Sequence, residues 1–229
     1  MFMNSVTQNL QQVQNRIEAA QKKFGREQEP ITLLAASKKQ PIAKIQEAID
    51  AGLWRFGENY AQEGISKIQA LSDVDLEWHF IGTIQSNKCS IIAEYFTWVH
   101  SVSSAIVAQA LNRARETFST PLNVCIQVNL EGSSNKAGIT IDQVSKLAGL
   151  ITSLPKLRLR GLMTLPEPAS TLEAQRKPFR QLARLLLDLQ QAGFSVDTLS
   201  MGMSNDLEAA IAEGSTILRV GTAIFGERL

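Results

Sequence analysis

Two lysines stand side by side at the end of an apolar run in "LLAASKKQP", residues 33–41. An amine at the end of a buried strand is either solvated or useful. Held away from water beside another cation, it loses its proton more easily and becomes a nucleophile toward carbonyl carbon. A second cation occurs in "TILRVGT", where Arg219 sits between Leu218 and Val220. Two glycine-bearing turns, "SMGMSND" and "RVGTAIFG", lie nearby in the chain. Glycine lets backbone approach a ligand closely, and free N–H groups at a helix start attract anions. The question is whether the fold brings these parts together.

The pattern of elements says that it does. Val6, Leu10, Val13, Ile17, Ala20 and Phe24 recur at steps of four and three, one face of an amphipathic helix that Gly25 stops. From residue 31 onward strands and helices alternate. "ITLLAAS" (31–37) reads as a strand and "PIAKIQEAIDAG" (41–52) as a helix with Pro first and Gly last. "WRFGEN", "EWHFIG", "TWVHSV", "LNVCIQVNL", "LRLRGLMTL", "TLSMG" and "TILRVGT" supply seven more strands, with helical segments between them. The sixth of these helices is read as starting at Pro178, after a loop "PEPAS", and Asn205 with Glu208 reads as a helix-start capping pair. Strict alternation implies a parallel sheet, and eight units favour a closed (β/α)8 barrel, here with an extra N-terminal helix. No GxGxxG or GxxxxGK[ST] occurs, so an open dinucleotide-binding sheet is disfavoured. Residues 1–229 are read as one domain.

Barrel chemistry gathers at the C-terminal ends of the strands. Alternation then separates the lysines. Lys38 shares a face with Thr32, Leu34 and Ala36, and Lys39 with Leu33, Ala35 and Ser37. Arg219 shares a face with Ile217 and Gly221, which points it into the barrel, a costly place without a partner. In many barrels the loops after strands seven and eight bind phosphate. An inward lysine, an inward arginine and a phosphate cup suit an aldehyde that carries a phosphate, such as pyridoxal 5'-phosphate.

Composition excludes other classes. The 229 residues carry 23 basic and 22 acidic groups, a net charge of +1 that gives no grip on nucleic acid or an anionic membrane. No apolar run reaches the length of a membrane span, and the N-terminus "MFMNSVTQNLQQVQ" lacks the features of a signal peptide, so a cytoplasmic protein is expected. Cys89 and Cys125 lack metal or disulfide spacing and read as small core residues.

"LLAASKKQP", "RFGENYAQE", "EWHFIGTIQSNK", "VHSV" and the 28-residue block "LSMGMSNDLEAAIAEGSTILRVGTAIFG" resemble the pyridoxal phosphate homeostasis protein family, also called the YggS or PROSC family. The resemblance runs in order from the first strand to the C-terminus. It implies a barrel like the N-terminal domain of alanine racemase, and pyridoxal phosphate held on a lysine. It also implies no enzymatic activity and a role in vitamin B6 and amino-acid homeostasis. By matching position, Lys38 is the Schiff-base lysine. Ser200, Gly221 and Thr222 contact the phosphate, Arg219 faces the pyridine nitrogen, Asn59 lies near the ring, and Met203 and His79 line the pocket. An arginine leaves the ring nitrogen unprotonated and the electron sink weak, although alanine racemase works with the same arrangement.

Structural readings of the same residues stand beside these. Lys38 could be an exposed strand-end lysine, Arg219 could pair with Glu58 or another inward acid, and His79 could be a satisfied core histidine. Lys39 reads as solvated or paired. The alternative function is a racemase-like pyridoxal-phosphate enzyme, which needs a second proton-transfer group opposite the lysine. Only Tyr60 and Tyr95 are available, and the chain ends nine residues after Val220, so the C-terminal domain that supplies that tyrosine in alanine racemase is not expected. A sugar-phosphate aldolase using Lys38 directly would be colourless. A monomer is expected, with transient protein partners among pyridoxal-phosphate enzymes or regulators.

Overall fold

The structure is a computed structural model that describes residues 5–132 and 136–227. The first four residues of the polar N-terminal stretch, three residues after the fifth strand and the last two of the 1–229 unit lie outside the described residues.

Helix α1 (Val6–Lys23) opens on a capping box in which the Ser5 hydroxyl accepts from the Gln8 amide and the Gln8 side chain accepts from the Ser5 amide. Its spaced Val6, Leu10, Val13, Ile17 and Ala20 are all buried. Eight strands follow: β1 (Thr32–Ala36), β2 (Arg55–Glu58), β3 (Glu77–Phe80), β4 (Trp98–Val102), β5 (Leu122–Gln127), β6 (Leu157–Met163), β7 (Thr198–Ser200) and β8 (Ile217–Val220). They alternate with α2 (Ile42–Asp50), α3 (Ala61–Ala70), α4 (Cys89–Tyr95), α5 (Ala105–Ala114), α6 (Ile141–Thr152), α7 (Leu172–Gln191) and α8 (Leu207–Ala212), and α9 (Thr222–Phe225) ends the series. All neighbouring strands pair in parallel, and β8 pairs with β1 to close the barrel. The expected (β/α)8 barrel and leading helix are therefore the fold.

Strand parity sorts the side chains as expected. Leu34 lies beside Arg219 and Ala35 beside Val220. Ala35, Leu218 and Val220 pack outward into the shell between strands and helices. Leu34, Ile81, Trp98, Cys125, Met163 and Ile217 fill the barrel interior. Cys89 and Cys125 are buried thiols. Burial pushes Cys125 up to about 12.

Two local expectations are corrected. Helix α7 begins at Leu172, not at Pro178, because the Thr171 hydroxyl caps it by accepting from the Ala174 amide. Pro178 sits inside the helix, where packing of Phe179, Leu182, Leu186 and Leu189 outweighs the lost hydrogen bond. Asn205 and Glu208 do not cap α8. Its N-cap is Asp206, and Glu208 reaches α1 to pair with Arg16. Arg16 also donates to the Ser204 carbonyl, so the leading helix braces the turn after β7.

That turn depends on Gly202. Its φ of +94° favours glycine, and a Cβ there would lie 2.5 Å from Ala210 Cβ and 2.8 Å from Leu218 Cδ2. Replacing Gly202 with Ala should lower unfolding free energy by about 2–3 kcal/mol. Urea denaturation followed by circular dichroism measures it. An unchanged midpoint would contradict the strain.

Candidate functional site

The C-terminal mouth of the barrel holds a cleft of about 350 Å3, lined by Lys38, Asn59, Arg219, Gly221 and Thr222 among others. That volume is within the range of small-ligand sites. Lys38 follows β1 with its parity intact, so it joins Ala36 at the cleft, while Lys39 is exposed. Lys39 is the one non-glycine residue with positive φ, at 59°, among the described residues. Its amide donates to Glu63 Oε1.

The residues flanking Lys38 are clamped from behind. Lys67 on α3 donates to the Ser37 carbonyl at 2.7 Å, to Glu58 Oε1 at 2.8 Å and to Glu63 Oε1 at 2.6 Å. The Ser37 hydroxyl donates to the same Glu58 oxygen. Burial raises the Glu58 carboxyl, against the hydrogen bonds from Lys67 and Ser37. Removing Lys67 would leave a buried carboxylate unpaired, a loss on the order of 3–5 kcal/mol. Glu58 shares a strand face with Phe56, which packs in the outer shell. It therefore cannot reach Arg219, and the proposed Arg219–Glu58 pair does not form.

Arg219 is 4% exposed yet lines the cleft. Its Nη1 donates to Ser200 Oγ at 2.7 Å and its Nη2 to the Thr164 carbonyl at 2.8 Å. Burial lowers it to about 10, with Asp206 opposing the shift, so it remains a cation at neutral pH. Asp206 also lines the cleft and accepts from the Met203 amide. Burial raises its carboxyl, while that amide and Arg219 pull it down.

Of the expected site residues, Lys38, Asn59, Met203, Arg219, Gly221 and Thr222 meet at this cleft. Two do not. Ser200 is fully buried, and its hydroxyl is occupied by Arg219 and His100, so it lies beneath the cleft and has no surface for a phosphate. His79 lies near the other end of the barrel, in a polar cavity with Arg55, Glu77, Arg160 and Asp197. It alternates with Trp78 and Phe80 and so points inward, but β3 carries it too low to reach the mouth. Its ring stacks on Trp98 with centroids 5.4 Å apart.

Sequence reasoning missed Ser204 and Gln175. Ser204 lines the cleft, and its hydroxyl accepts from the Ala223 amide, joining the turn after β7 to α9. The "GMS" turn was the available signal. Gln175 reaches the cleft because α7 starts six residues earlier than its proline indicates.

Among the described residues no group of three or more His, Cys, Asp or Glu could hold a metal. No described helix is long and apolar enough to cross a membrane.

Comparison with known proteins decides the family. Residues 8–229 match the alanine racemase N-terminal domain model. The chain is 49% identical over 229 residues to the pyridoxal phosphate homeostasis protein of Escherichia coli (strain K12), covering 99% of this chain and 98% of that one. It is 50% identical over 226 residues to the protein of the same name from Pseudomonas aeruginosa, covering 99% and 97%. The chain belongs to the pyridoxal phosphate homeostasis protein family. Among solved structures it resembles PipY of Synechococcus elongatus PCC7942 with PLP bound, at TM-score 0.85 and 34% identity, covering 97% of this chain and 100% of that one. An alanine racemase from Clostridium difficile shares the barrel alone, at 17% identity and TM-score 0.74, over 96% of this chain and 57% of that one.

In this family member both histidines are inside the barrel. His79 Nδ1 lies 2.8 Å from His100 Nε2, and His79 Nε2 lies 3.0 Å from Glu77 Oε1. Burial holds both imidazoles below the ordinary histidine range, His100 well below it. The hydrogen bond from His79, helped by Arg55, brings Glu77 to about 2 against the effect of burial.

Unfolded, each histidine takes up a proton near pH 6.5. The unfolded chain then binds more protons than the folded one, so stability falls as pH drops below about 6.5, by up to about 1.4 kcal/mol per pH unit for each histidine. Urea midpoints between about pH 7.5 and about pH 5.5 measure the slope. The chain has 2 histidines, so His100→Gln should remove about half of it. A flat profile for the unaltered protein would contradict neutral buried imidazoles.

Proposed function

We propose that this protein holds pyridoxal 5'-phosphate on Lys38 and acts as a non-catalytic carrier in vitamin B6 and amino-acid homeostasis. The observation that carries the reading is the convergence of Lys38, Arg219 and Asn59 on one cleft, in a chain related to a protein whose structure contains PLP. Asn59 Oδ1 is buried and has no hydrogen-bond partner among the described residues, which suits a polar group arriving with a ligand. Gly221, Thr222 and Ser204 offer small or hydroxyl-bearing surfaces for a phosphate on the β7–β8 side.

Pyridoxal phosphate, when bound, supplies an aldehyde for a lysine and a pyridine ring that can accept electrons. The residues present bind more than they catalyse. Arg219 can only donate hydrogen bonds, so it stabilises an unprotonated ring nitrogen and leaves the ring a weak acceptor. Asp206, the acid at the cleft, is occupied by the Met203 amide and lies near Arg219. Tyr60 is 54% exposed and lines the neighbouring cleft beside α3 and α4. It does not stand opposite Lys38 as a second proton carrier. Residues 1–229 then form one ligand-holding unit, cytoplasmic and monomeric, that meets pyridoxal-phosphate enzymes or regulators transiently.

The purified protein incubated with pyridoxal phosphate should be yellow, and borohydride reduction should fix one pyridoxyl group that peptide mass spectrometry finds on Lys38. Lys38→Ala should abolish the adduct. An adduct on Lys39 would overturn the assignment. Assays of alanine and other common amino acids should show no racemisation above background. Turnover that disappears in Lys38→Ala would establish the racemase-like reading instead.

A further inference from the structure

A single file of hydrogen bonds crosses the barrel interior beneath the cleft. It runs from Arg219 on β8 to Ser200 on β7, across to His100 on β4, to His79 and then Glu77 on β3. Arg55 on β2 ends it by donating to Glu77 Oε1 at 2.8 Å. His79, His100 and Ser200 are each at most 1% exposed, and their polar atoms meet directly at 2.7–2.8 Å.

The direction of every bond follows from its ends. A guanidinium only donates, so Ser200 Oγ accepts from Arg219. The single serine proton then goes to His100 Nδ1 at 2.7 Å. A neutral imidazole has one donor and one acceptor. His100 Nε2–H therefore donates to His79 Nδ1, and His79 Nε2–H donates to the Glu77 carboxylate, which only accepts. Reversing one link would set two protons or two lone pairs face to face. The four bonds point the same way and polarise one another.

Resting on the reading above for its ligand, we propose that His100 and His79 are positioning residues: they fix the Ser200 hydroxyl, and through it the Arg219 guanidinium that the ligand ring meets. Neither histidine touches the ligand. The ion pair at the far mouth of the barrel anchors the file, so a change at His79, three hydrogen bonds from Arg219, should be felt at the cleft.

Two variants at one position separate hydrogen bonding from packing. His79→Phe keeps a ring to stack on Trp98 and loses both hydrogen bonds. His79→Gln loses the ring and keeps an acceptor and a donor. Titration of the full chain with pyridoxal 5'-phosphate, followed by visible absorption, should show about tenfold weaker binding and a shifted absorption maximum for His79→Phe. His79→Gln should stay within about threefold of the unaltered protein, with its absorption maximum unmoved. The reverse order would overturn the proposal, and so would two variants that both bind normally. Should His79→Phe not fold, His100→Phe and His100→Gln give the same contrast.

Nitrogen-15 NMR of the ligand-free protein, labelled at histidine, reads the file without any ligand. With 2 histidines in the chain, both imidazoles should appear neutral with the proton on Nε2. A proton on Nδ1 of either ring would overturn the donor order. If the unaltered protein binds no pyridoxal phosphate, the ligand reading fails, and with it the role of positioning for that ring. The NMR result then decides by itself whether the file holds Arg219.

Discussion

A guanidinium inside a barrel cannot lose its proton at neutral pH, so its N–H groups must find acceptors or the fold loses stability. Arg219 is that guanidinium. Ser200 accepts from one side and the Thr164 carbonyl from another, which ties β8 to β7 and to the end of β6. Ser200, once occupied, must place its own proton, and the two histidines carry that demand to Glu77. Much of the polar interior is thus the consequence of placing one cation in the wall of the cleft. An apolar filling of Leu34, Ile81, Cys125, Met163 and Ile217 packs around it.

The opposite wall of the cleft is held by a different device. Lys38 lies just beyond β1, where the ladder no longer fixes the backbone. Lys67 holds the carbonyl before it, and Glu63 holds the amide after it. These contacts leave the left-handed turn at Lys39 well supported. The Lys38 side chain is thereby presented from a fixed Cα, which favours recognition of one ligand pose.

The two devices are independent in chain and in chemistry. The file beneath Arg219 runs inside the barrel, and the clamp on Lys38 runs outside it, under α3. They meet where β1 pairs with β8, with Leu34 beside Arg219. Gly221 allows this approach, since a Cβ there would stand 3.0 Å from the Ala36 carbonyl oxygen.

The period-two pattern of the strands was enough to put Lys38 and Lys39 on opposite faces and to turn Arg219 inward, because parity is local and survives any tertiary detail. The family resemblance named Lys38, and the structure puts it at the cleft. The eightfold alternation gave the barrel, and the barrel gave the end at which chemistry gathers. The resemblance puts His79 at the pocket by matching position, which carries no information about height along the axis, and His79 lies toward the other mouth. Ser200 was placed on the correct strand but not beneath its neighbour's guanidinium. Helix α7 hid its first six residues behind Pro178, because tertiary packing outweighed a propensity. Face and order along the chain were thus determined by the sequence alone. Depth in the barrel, and which of two inward groups meets the ligand or supports the one that does, were decided only by the tertiary structure, through strand stagger and contacts between residues distant in the chain.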